Sequence, residues 1–563
     1  MASASEGGPS GETEVEWQFE APDLARVDAW LHDLATRGGP PVGTPGNGAA
    51  PVEVAAKAPR DILDRYLDTK DWRLARAGLV LRIRQLGDTV EVTVKDRSPA
   101  SADGLRRRLE VTEQLPSGEL SDLGREGPVG RRVRALAGER PLVPLVQMRT
   151  RRRPFSVLAD GVELGELTLD ETVLVGAGGD DAGRMSRVEL EVAPGCVESL
   201  ATVVDDLRTS TGIAPAATSK FEAGLRAVGR SLPQPPALGP THAGAGSSAA
   251  ELTYAALSRY VSAMVEHEPG TRLGEDPEEL HDMRVATRRL RAAIGLFGEM
   301  LPARAQALAR ELGWIGHALG AVRDLDVQLE RMPEVTAWVQ DWYPAPEGGR
   351  LAPVRAALES ERASARSRLL SALDSARWDR LCSALVELAR EGPRASARGH
   401  APAVDVVPGL VLARHRSAVK AAKRARRSGD PGDFHRLRIR CKRLRYSLDL
   451  TSELYGGASV AFARELAGLQ DSLGRAQDAE VAARHIFEMA VAGSLPGTEP
   501  TGRSERPLSI TTVFVMGALS ERYRRDAAAA RAATGTPLAV LEGKRWRKLS
   551  KAMDRARTRG PKS

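Results

Sequence analysis

Cysteine is almost missing from this 563-residue chain: Cys196, Cys382 and Cys441 stand far apart, with no CxxC pair and no zinc spacing. So sparse and odd a set excludes a disulfide framework and suits a reducing compartment. Aromatic residues make up only 4% of the chain, which leaves few rings on which nucleobases stack. No run of about 18 apolar residues occurs, so nothing is expected to span a membrane. The opening "MASASEGGPSGETEVEW" is polar and acidic, without the apolar segment of a signal peptide. No GxxxxGK[ST] loop and no HExxH pair is present, which removes P-loop phosphate binding and zincin chemistry. These absences predict a cytoplasmic protein.

Charge is plentiful but unevenly placed. Residues 1–230 hold 30 Lys+Arg against 36 Asp+Glu, a net of −6, whereas residues 231–563 hold 51 against 38, a net of +13. A basic module joined to a mildly acidic one points to a polyanionic partner for the second. The join is "SLPQPPALGPTHAGAGSSAA" (231–250), rich in Pro, Gly, Ser and Ala. Before it, strand-like runs alternate with turn signals: "VEWQF", "LVLRIRQLGDTVEVTVK", "LRRRLEVTEQL", "FSVLADGVELGELTLDETVL" and "SRVELEVA". "LGD" (86–88) and "ADG" (159–161) read as hairpin turns. After it, periodic leucines among Ala, Arg and Glu predict helices, with loops at "YPAPEGGRLAP" and "AGSLPGTEPTGRSERP". The expected domains are 12–228, a linker at 229–250, a helical domain at 251–540 with repeats near 251–400 and 405–540, and a basic tail at 541–563.

In the strands, residues i and i+2 share a face. Glu14, Glu16 and Gln18 fall together, as do Arg82 and Arg84, Thr93 and Lys95, and Arg106, Arg108 and Glu110. Arg149, Arg151 and Arg153 form another set, then Thr168 and Asp170, then Arg187, Glu189 and Glu191. A half-buried sheet with a solvated outer face alternates in the same way. The mixture points elsewhere, because paired carboxylates supply hard oxygen ligands for Mg²⁺ or Mn²⁺ while interleaved Arg and Lys hold phosphate oxygens.

Glu14-x-Glu16, "YLDTKDWRLARAGLVLRIR" (66–84), "TVK" (93–95), "LDE" (169–171), "VELEV" (188–192) and "SKFEAGL" (219–225) together resemble a CYTH domain. The resemblance implies a triphosphate tunnel metalloenzyme, an antiparallel β-barrel that hydrolyses triphosphates with a divalent metal. By motif it implies that Glu14 and Glu16 bind metal and that Asp170, Glu189 and Glu191 are acids of the metal or water-activating side. It likewise assigns Arg82, Arg84, Lys95, Arg108, Arg151 and Lys220 to the phosphates. One position departs: the family's opening signature is ExExK, and here its last place is Gln18. An amide there keeps a donor but removes a full charge from the phosphate cradle.

The basic half contains a repeat. "HDMRVATRRLRAAIGLF" (281–297) places Met283, Leu290, Ile294 and Phe297 on one side of a helix and His281, Arg284, Arg288 and Arg291 on the other. An offset of 154 residues brings up "HRLRIRCKRLRYSL", with His435, Arg438, Lys442 and Arg445 opposite Leu437, Leu444 and Leu448. The same offset relates "LGAVRDLDV" (319–327) to "LGRAQDAEV" (473–481). In "RHRSAVKAAKRARR", Arg416, Lys420, Lys423 and Arg427 share a further basic face. Cations at i, i+3/i+4 and i+7 make a rail suited to a linear polymer of negative charge. Asp324, Asp326, Asp478 and Glu480 either orient those arginines or bridge the repeats structurally. For His281 and His435, capping, packing or phosphate hydrogen bonding is favoured over metal, since a metal site needs more ligands at helical spacing and no HExxH or second near histidine is present.

"HDMRVATRRLR", "LGAVRDLDV", "HRLRIRCKRLRY" and "LQDSLGRAQDAEV" resemble a CHAD domain, a conserved histidine α-helical domain often fused to CYTH. That resemblance implies two similar helical bundles whose basic residues bind inorganic polyphosphate. The expected architecture is therefore a multidomain α+β chain, an N-terminal antiparallel β-barrel followed by an all-α duplicated helical bundle. The expected function is binding of polyphosphate or tripolyphosphate, with metal-dependent hydrolysis in the barrel, in the cytoplasm and at polyphosphate granules. A nucleic-acid-binding protein is the first alternative, disfavoured because only Tyr446 lies beside the rails. A scaffold with an inert barrel is the second.

Overall fold

The computed structural model describes residues 12–44, 47–99, 101–116, 123, 127–176, 179–244, 246–342, 351–393, 399–495, 506–534 and 537–559. The two expected inter-helix loops fall largely outside these residues. The chain divides into two units, Met1–Pro235 and Pro236–Ser563.

In the first unit, alternation of apolar and polar residues builds strands β1 (Glu12–Glu20), β2 (Pro41–Thr44), β3 (Asn47–Ala56), β4 (Arg60–Thr69), β5 (Leu79–Leu86), β6 (Thr89–Asp96) and β7 (Leu105–Gln114). They continue as β8 (Leu142–Ala159), β9 (Val162–Val175), β10 (Asp181–Val192) and the short β11 (Ala214–Pro215). The helices are α1 (Ala25–Arg37), α2 (Arg73–Arg76), α3 (Pro128–Ala137), α4 (Val197–Thr211) and α5 (Lys220–Ala227). Eight strands pair in the order β8-β4-β5-β6-β7-β1-β10-β9, and β9 pairs back onto β8, closing an antiparallel barrel. Closure leaves its eight strands no open edge there. Strand β3 pairs with the far end of β8 and carries β2 outward. The β8–β9 turn holds Asp160 at φ 51° and Gly161 at φ 72°, the left-handed pair a tight hairpin requires.

Parity divides the barrel's side chains. Trp17, Phe19, Val157, Leu167, Leu169, Val188 and Leu190 face outward, buried beneath Val27, Trp30 and Leu31 of α1 and Leu200, Val203 and Leu207 of α4. Trp30 Nε1–H ties the two helices by donating to Asp206 Oδ2 at 2.8 Å. On the lumen parity, Thr150 and Thr172 share a hydrogen bond of 2.9 Å. Nearby, Phe221 and Leu225 of α5 pack on Tyr66, Val146, Met148 and Leu174. Gly224 eases the approach, because a Cβ there would press on the methyl end of Met148 and on Val146.

The second unit is helical: α6 (Ala249–Leu273), α7 (Pro277–Leu296), α8 (Ala305–Trp342), α9 (Ala352–Asp374), α10 (Ala376–Arg390), α11 (Ala403–Ser428), α12 (Pro431–Leu450), α13 (Ser452–Tyr455), α14 (Gly457–Ala492), α15 (Ile510–Ala533), α16 (Pro537–Leu541) and α17 (Lys544–Arg559). Its boundaries repeat with the sequence offset of 154: α6 and α11 start at 249 and 403, and α7 and α12 span 277–296 and 431–450. Asp276 and Asp430 cap α7 and α12, each followed by proline at the first helical position. The two halves meet like on like. Ser248 and Pro402, equivalent residues, form an antiparallel bridge. Ala249 N–H donates to Ala401 O and Ala403 N–H to Ser247 O, both at 2.9 Å. Helices α6 and α11 touch, as do α7 and α12. This reciprocity is the mark of a local two-fold axis.

One core runs through the unit. Met283, Leu290, Ile294 and Phe297 are fully buried in it, as are Leu437, Leu444 and Leu448. Two expected boundaries shift. The second half of the linker lies on this unit: Ala243 N–H donates to Glu453, and Arg259 donates to the Thr241 carbonyl. The basic tail is no tail through residue 559, because Trp546, Leu549 and Met553 of α17 are buried in the core. Its charges lie on the remaining faces of an amphipathic helix. No helix among the described residues is long and apolar enough to cross a membrane.

Candidate functional site

The barrel lumen holds a cavity of about 1460 Å³, lined by Glu14, Glu16, Gln18, Arg82, Arg84, Lys95, Arg106, Arg108, Glu110, Arg152, Glu189, Glu191 and Lys220 among others. Register sets the neighbours: Glu16 faces Glu191 and Gln18 faces Glu189 across β1–β10, while Glu14 faces Arg108 across β1–β7. The bases are shared among acids. Lys95 reaches Glu14 at 2.9 Å and Glu110 at 2.6 Å, and Arg108 binds both Glu14 and Glu16. Arg152 contacts Asp170 at 2.6 Å and Glu189 at 2.7 Å, and Lys220 reaches the same two acids. Burial pushes the Glu189 carboxyl up, but Lys220, Arg152 and Arg108 overcome it and hold the acid below its ordinary range.

Of the residues expected here, Glu14, Glu16, Arg82, Arg84, Lys95, Arg108, Asp170, Glu189, Glu191 and Lys220 all meet in or beside the lumen. Arg151 does not. It is exposed on the outer face, and Arg152 takes the inward place, in step with Thr150 and Met148 on β8. The triple arginine run hides this register, since sequence alone does not say which of 151 and 152 points inward. Asp64 was missed altogether. It is 3% exposed on β4 and takes the Arg84 fork at 2.8 Å through both oxygens. Burial opposes its ionisation, but Arg84, Arg82 and Lys220 bring its pKa down to about 2. The alternation of Ile62, Asp64 and Tyr66 was the available signal.

The acids divide in their fit to a metal. Among the described residues no three Asp, Glu, His or Cys side chains already stand as a ligand set. Asp170 and Glu189, expected as ligands, are engaged by Arg152 and Lys220. Glu191 differs: burial, then Glu14, Glu110 and Glu166, push its carboxyl up despite Lys95. Crowded carboxylates of this kind are hard donors whose repulsion a divalent cation relieves. The donor chemistry around Glu14, Glu16 and Glu191 fits such an ion, which would displace Lys95 and Arg108 from Glu14 and Glu16.

In the helical unit, α7 and α12 bring Arg284, Arg288, Arg438 and Lys442 together across the two-fold. Burial, then Arg438, Arg288 and Arg284, lower the Lys442 pKa to about 7. Arg284 approaches Asp324 at 3.8 Å and Arg438 approaches Asp478 at 3.9 Å, equivalent pairs at the offset of 154. Asp326 and Glu480 instead bind Arg362 of α9 and Arg531 of α15. The buried Nε atoms of Arg284, Arg288, Arg438 and Arg445 have no acceptor among the described residues. Arg288 lies over the Tyr446 ring at 5.3 Å, and the Arg291 guanidinium lies close to Gly313 of α8. His281 is half-buried a turn before Arg284, and exposed His435 Nδ1 lies 2.6 Å from Gln477 Oε1. Arg416, Lys420, Lys423 and Arg427 were expected as a further basic face for polyphosphate. They line a groove of their own with Leu538 of α16 and Glu542 just after it.

A closed antiparallel barrel with a charged lumen, followed by a duplicated all-α unit with paired basic helices, defines a two-module chain. The sequence comparisons name both modules: residues 48–225 match the CYTH domain family and residues 255–486 match the CHAD domain family. The chain is a CYTH–CHAD fusion protein. Strand β1, with Glu14 and Glu16, precedes the matched CYTH segment. An uncharacterized protein of Mycobacterium tuberculosis (strain CDC 1551 / Oshkosh) is 28% identical over 480 residues, covering 80% of this chain and 87% of that protein. The CHAD domain of Ricinus communis is similar at 28% identity and a TM-score of 0.41, covering 54% of this chain and 96% of that one. The Hippeastrum protein HpAC1, described as having a dominant triphosphatase activity, is 20% identical with a TM-score of 0.29, covering 39% of this chain and 98% of that one.

Proposed function

We infer that this chain binds inorganic phosphate chains in both modules and hydrolyses short ones in the barrel. The observation that carries the reading is the lumen, where Arg82, Lys95, Arg108, Arg152 and Lys220 converge around carboxylates inside a closed wall. Phosphoryl transfer needs positioning and charge stabilisation more than covalent help, and inward bases on facing strands provide both. Those bases are engaged by acids in the free barrel, so a triphosphate competes for them with Glu14, Asp170 and Glu189. A divalent cation, Mg²⁺ or Mn²⁺, would be held by Glu14, Glu16 and Glu191, and when bound it supplies neutralisation of the phosphate oxygens. The Arg284–Arg288–Arg438–Lys442 rail, with its unsatisfied donors, supports binding of a longer polymer.

Phosphate release from tripolyphosphate, measured with Mg²⁺, with Mn²⁺ and with chelator, tests the catalytic half. Release that requires the metal and is lost in Glu16→Ala is the expected result. Metal-independent release, or none even in Gln18→Lys, overturns it. Salt-dependent retention of polyphosphate by the full chain tests the binding half.

A further inference from the structure

The α11 groove is built differently from the rail. Arg416, Lys420, Lys423, Arg426 and Arg427 are exposed along it, facing Leu538 of α16 and Glu542 just after that helix across a space of about 820 Å³. At 1.5 Å per residue these five cations cover about 16 Å of helix. Glu542, 3.8 Å from Lys423, is the one acid on its lining.

Helix packing does not demand these charges. The equivalent positions on α6, at the offset of 154, are Ser262, Glu266, Pro269 and Leu273 for Arg416, Lys420, Lys423 and Arg427. The first repeat thus forms the same helix in the same place with none of those four cations. Like charges one turn apart destabilise an isolated helix. The second repeat keeps them nonetheless.

The opposite wall is held by a specific joint. His415 stacks on Trp546 of α17 with ring centroids 3.5 Å apart and planes 5° from parallel. Its Nε2 lies 2.8 Å from the Leu541 carbonyl, so that nitrogen carries the proton and donates. His415 is the one ring on the groove's lining and is buried against Trp546, so the lining offers no exposed aromatic face. Binders of single-stranded nucleic acid use such faces as stacking platforms. A phosphate chain without bases needs only cations.

We propose that the groove between α11 and α16 is a second phosphate-chain site, independent of the α7–α12 rail. This rests on the reading of the helical unit as a polyphosphate binder. The test is lysine acylation footprinting of the full chain by mass spectrometry, with and without long-chain inorganic polyphosphate. It is run on the wild type and on Arg284→Glu/Arg288→Glu/Arg438→Glu. Modification of Lys420 and Lys423 is expected to fall several-fold with polyphosphate in both proteins and to recover at high salt. Protection of Lys442 is expected in the wild type alone. Should the triple reversal lower the melting temperature, Arg288→Gln/Arg438→Gln removes rail charge without adding acid and serves in its place. Protection of Lys442 with none at Lys420 and Lys423 overturns the groove while leaving the polyphosphate reading intact. No protected lysine anywhere in the helical unit overturns both. Groove protection that vanishes with the rail overturns independence, and equal protection by single-stranded RNA at matched phosphate and salt overturns the base-free ligand.

Discussion

Gln18 donates its single amide to two carboxylates, Glu16 at 2.9 Å and Glu189 at 3.1 Å. It bridges the acids proposed to hold a metal to those that hold Arg152 and Lys220, but it brings no charge to a phosphate. Losing one charge-stabilising contact costs about 2.7–4 kcal/mol in a transition state, by analogy with an oxyanion donor. At about 1.36 kcal/mol per tenfold, Gln18→Lys is expected to raise phosphate release roughly a hundred- to a thousandfold, while Glu16→Ala abolishes it in either background. An unchanged rate in Gln18→Lys, with triphosphate still bound, shows that residue 18 is not limiting. The neighbouring arginines give a second contrast. Arg152→Ala leaves Asp170 and Glu189 short of a buried partner and should destabilise the barrel by roughly 3–5 kcal/mol. Arg151→Ala, on the exposed face, should stay within about 0.5 kcal/mol. Denaturant melts of the two variants check the pair. That most of the lumen was legible from parity, while 151 and 152 were confused, has one cause. Strand period reports which residues share a face, but a run of identical residues hides the register.

Among the elements, α12 carries the clearest pH dependence. Lys442, held at about 7, meets Arg438 and Asp478 from the second repeat and Arg284 and Arg288 from α7. A bound polyanion favours the protonated amine, so affinity should fall as pH rises from about 6 to 8, with proton uptake on binding. Titration calorimetry in two buffers of different ionisation heat reads that uptake directly. Lys442→Arg, charged throughout, should bind with a flatter profile. The sign for stability is the reverse. Between 7 and the ordinary lysine value of 10.5 the unfolded chain binds more protons, so the fold gains stability as pH rises through that window. Reversing Arg284, Arg288 and Arg291 to Glu, or Arg438, Lys442 and Arg445, should each weaken polyphosphate retention in a pull-down, leaving the share that the α11 groove holds. The helices themselves were legible because both copies keep apolar period, cap and proline together. Strands β3 and β4 were not read from their pattern, since "PVEVAAKAPR" mixes Ala and Pro into the alternation and β4 follows without a strong turn. Asp64 went unseen with them.

At the scale of the molecule, the way linker residues are pinned sets where the chain can be cut. Residues 236–563, which keep Thr241 and Ala243 against Arg259 and Glu453, should fold alone and bind long-chain polyphosphate with a steep salt dependence. A fragment beginning at 250 should melt lower, because it lacks those contacts, the Ser248 cap and both bonds that Ser247 and Ala249 exchange with Ala403 and Ala401. Circular dichroism melts of the two fragments distinguish them.

The reciprocal bonds between Ser247–Ala249 and Ala401–Ala403 have a consequence of their own. Two identical copies around such an axis would be tied to each other: any substitution made in one face would appear in both, and a ligand path across the axis would read the same from either end. Joining the copies in one chain releases that tie. Here Arg288 answers to Lys442, Ala292 to Tyr446, and Glu266 to Lys420. A phosphate polymer lying across the centre therefore meets a guanidinium row from one side and a titratable amine from the other, so its two directions are no longer equivalent. The fused pair has polarity, which a symmetric pair cannot have.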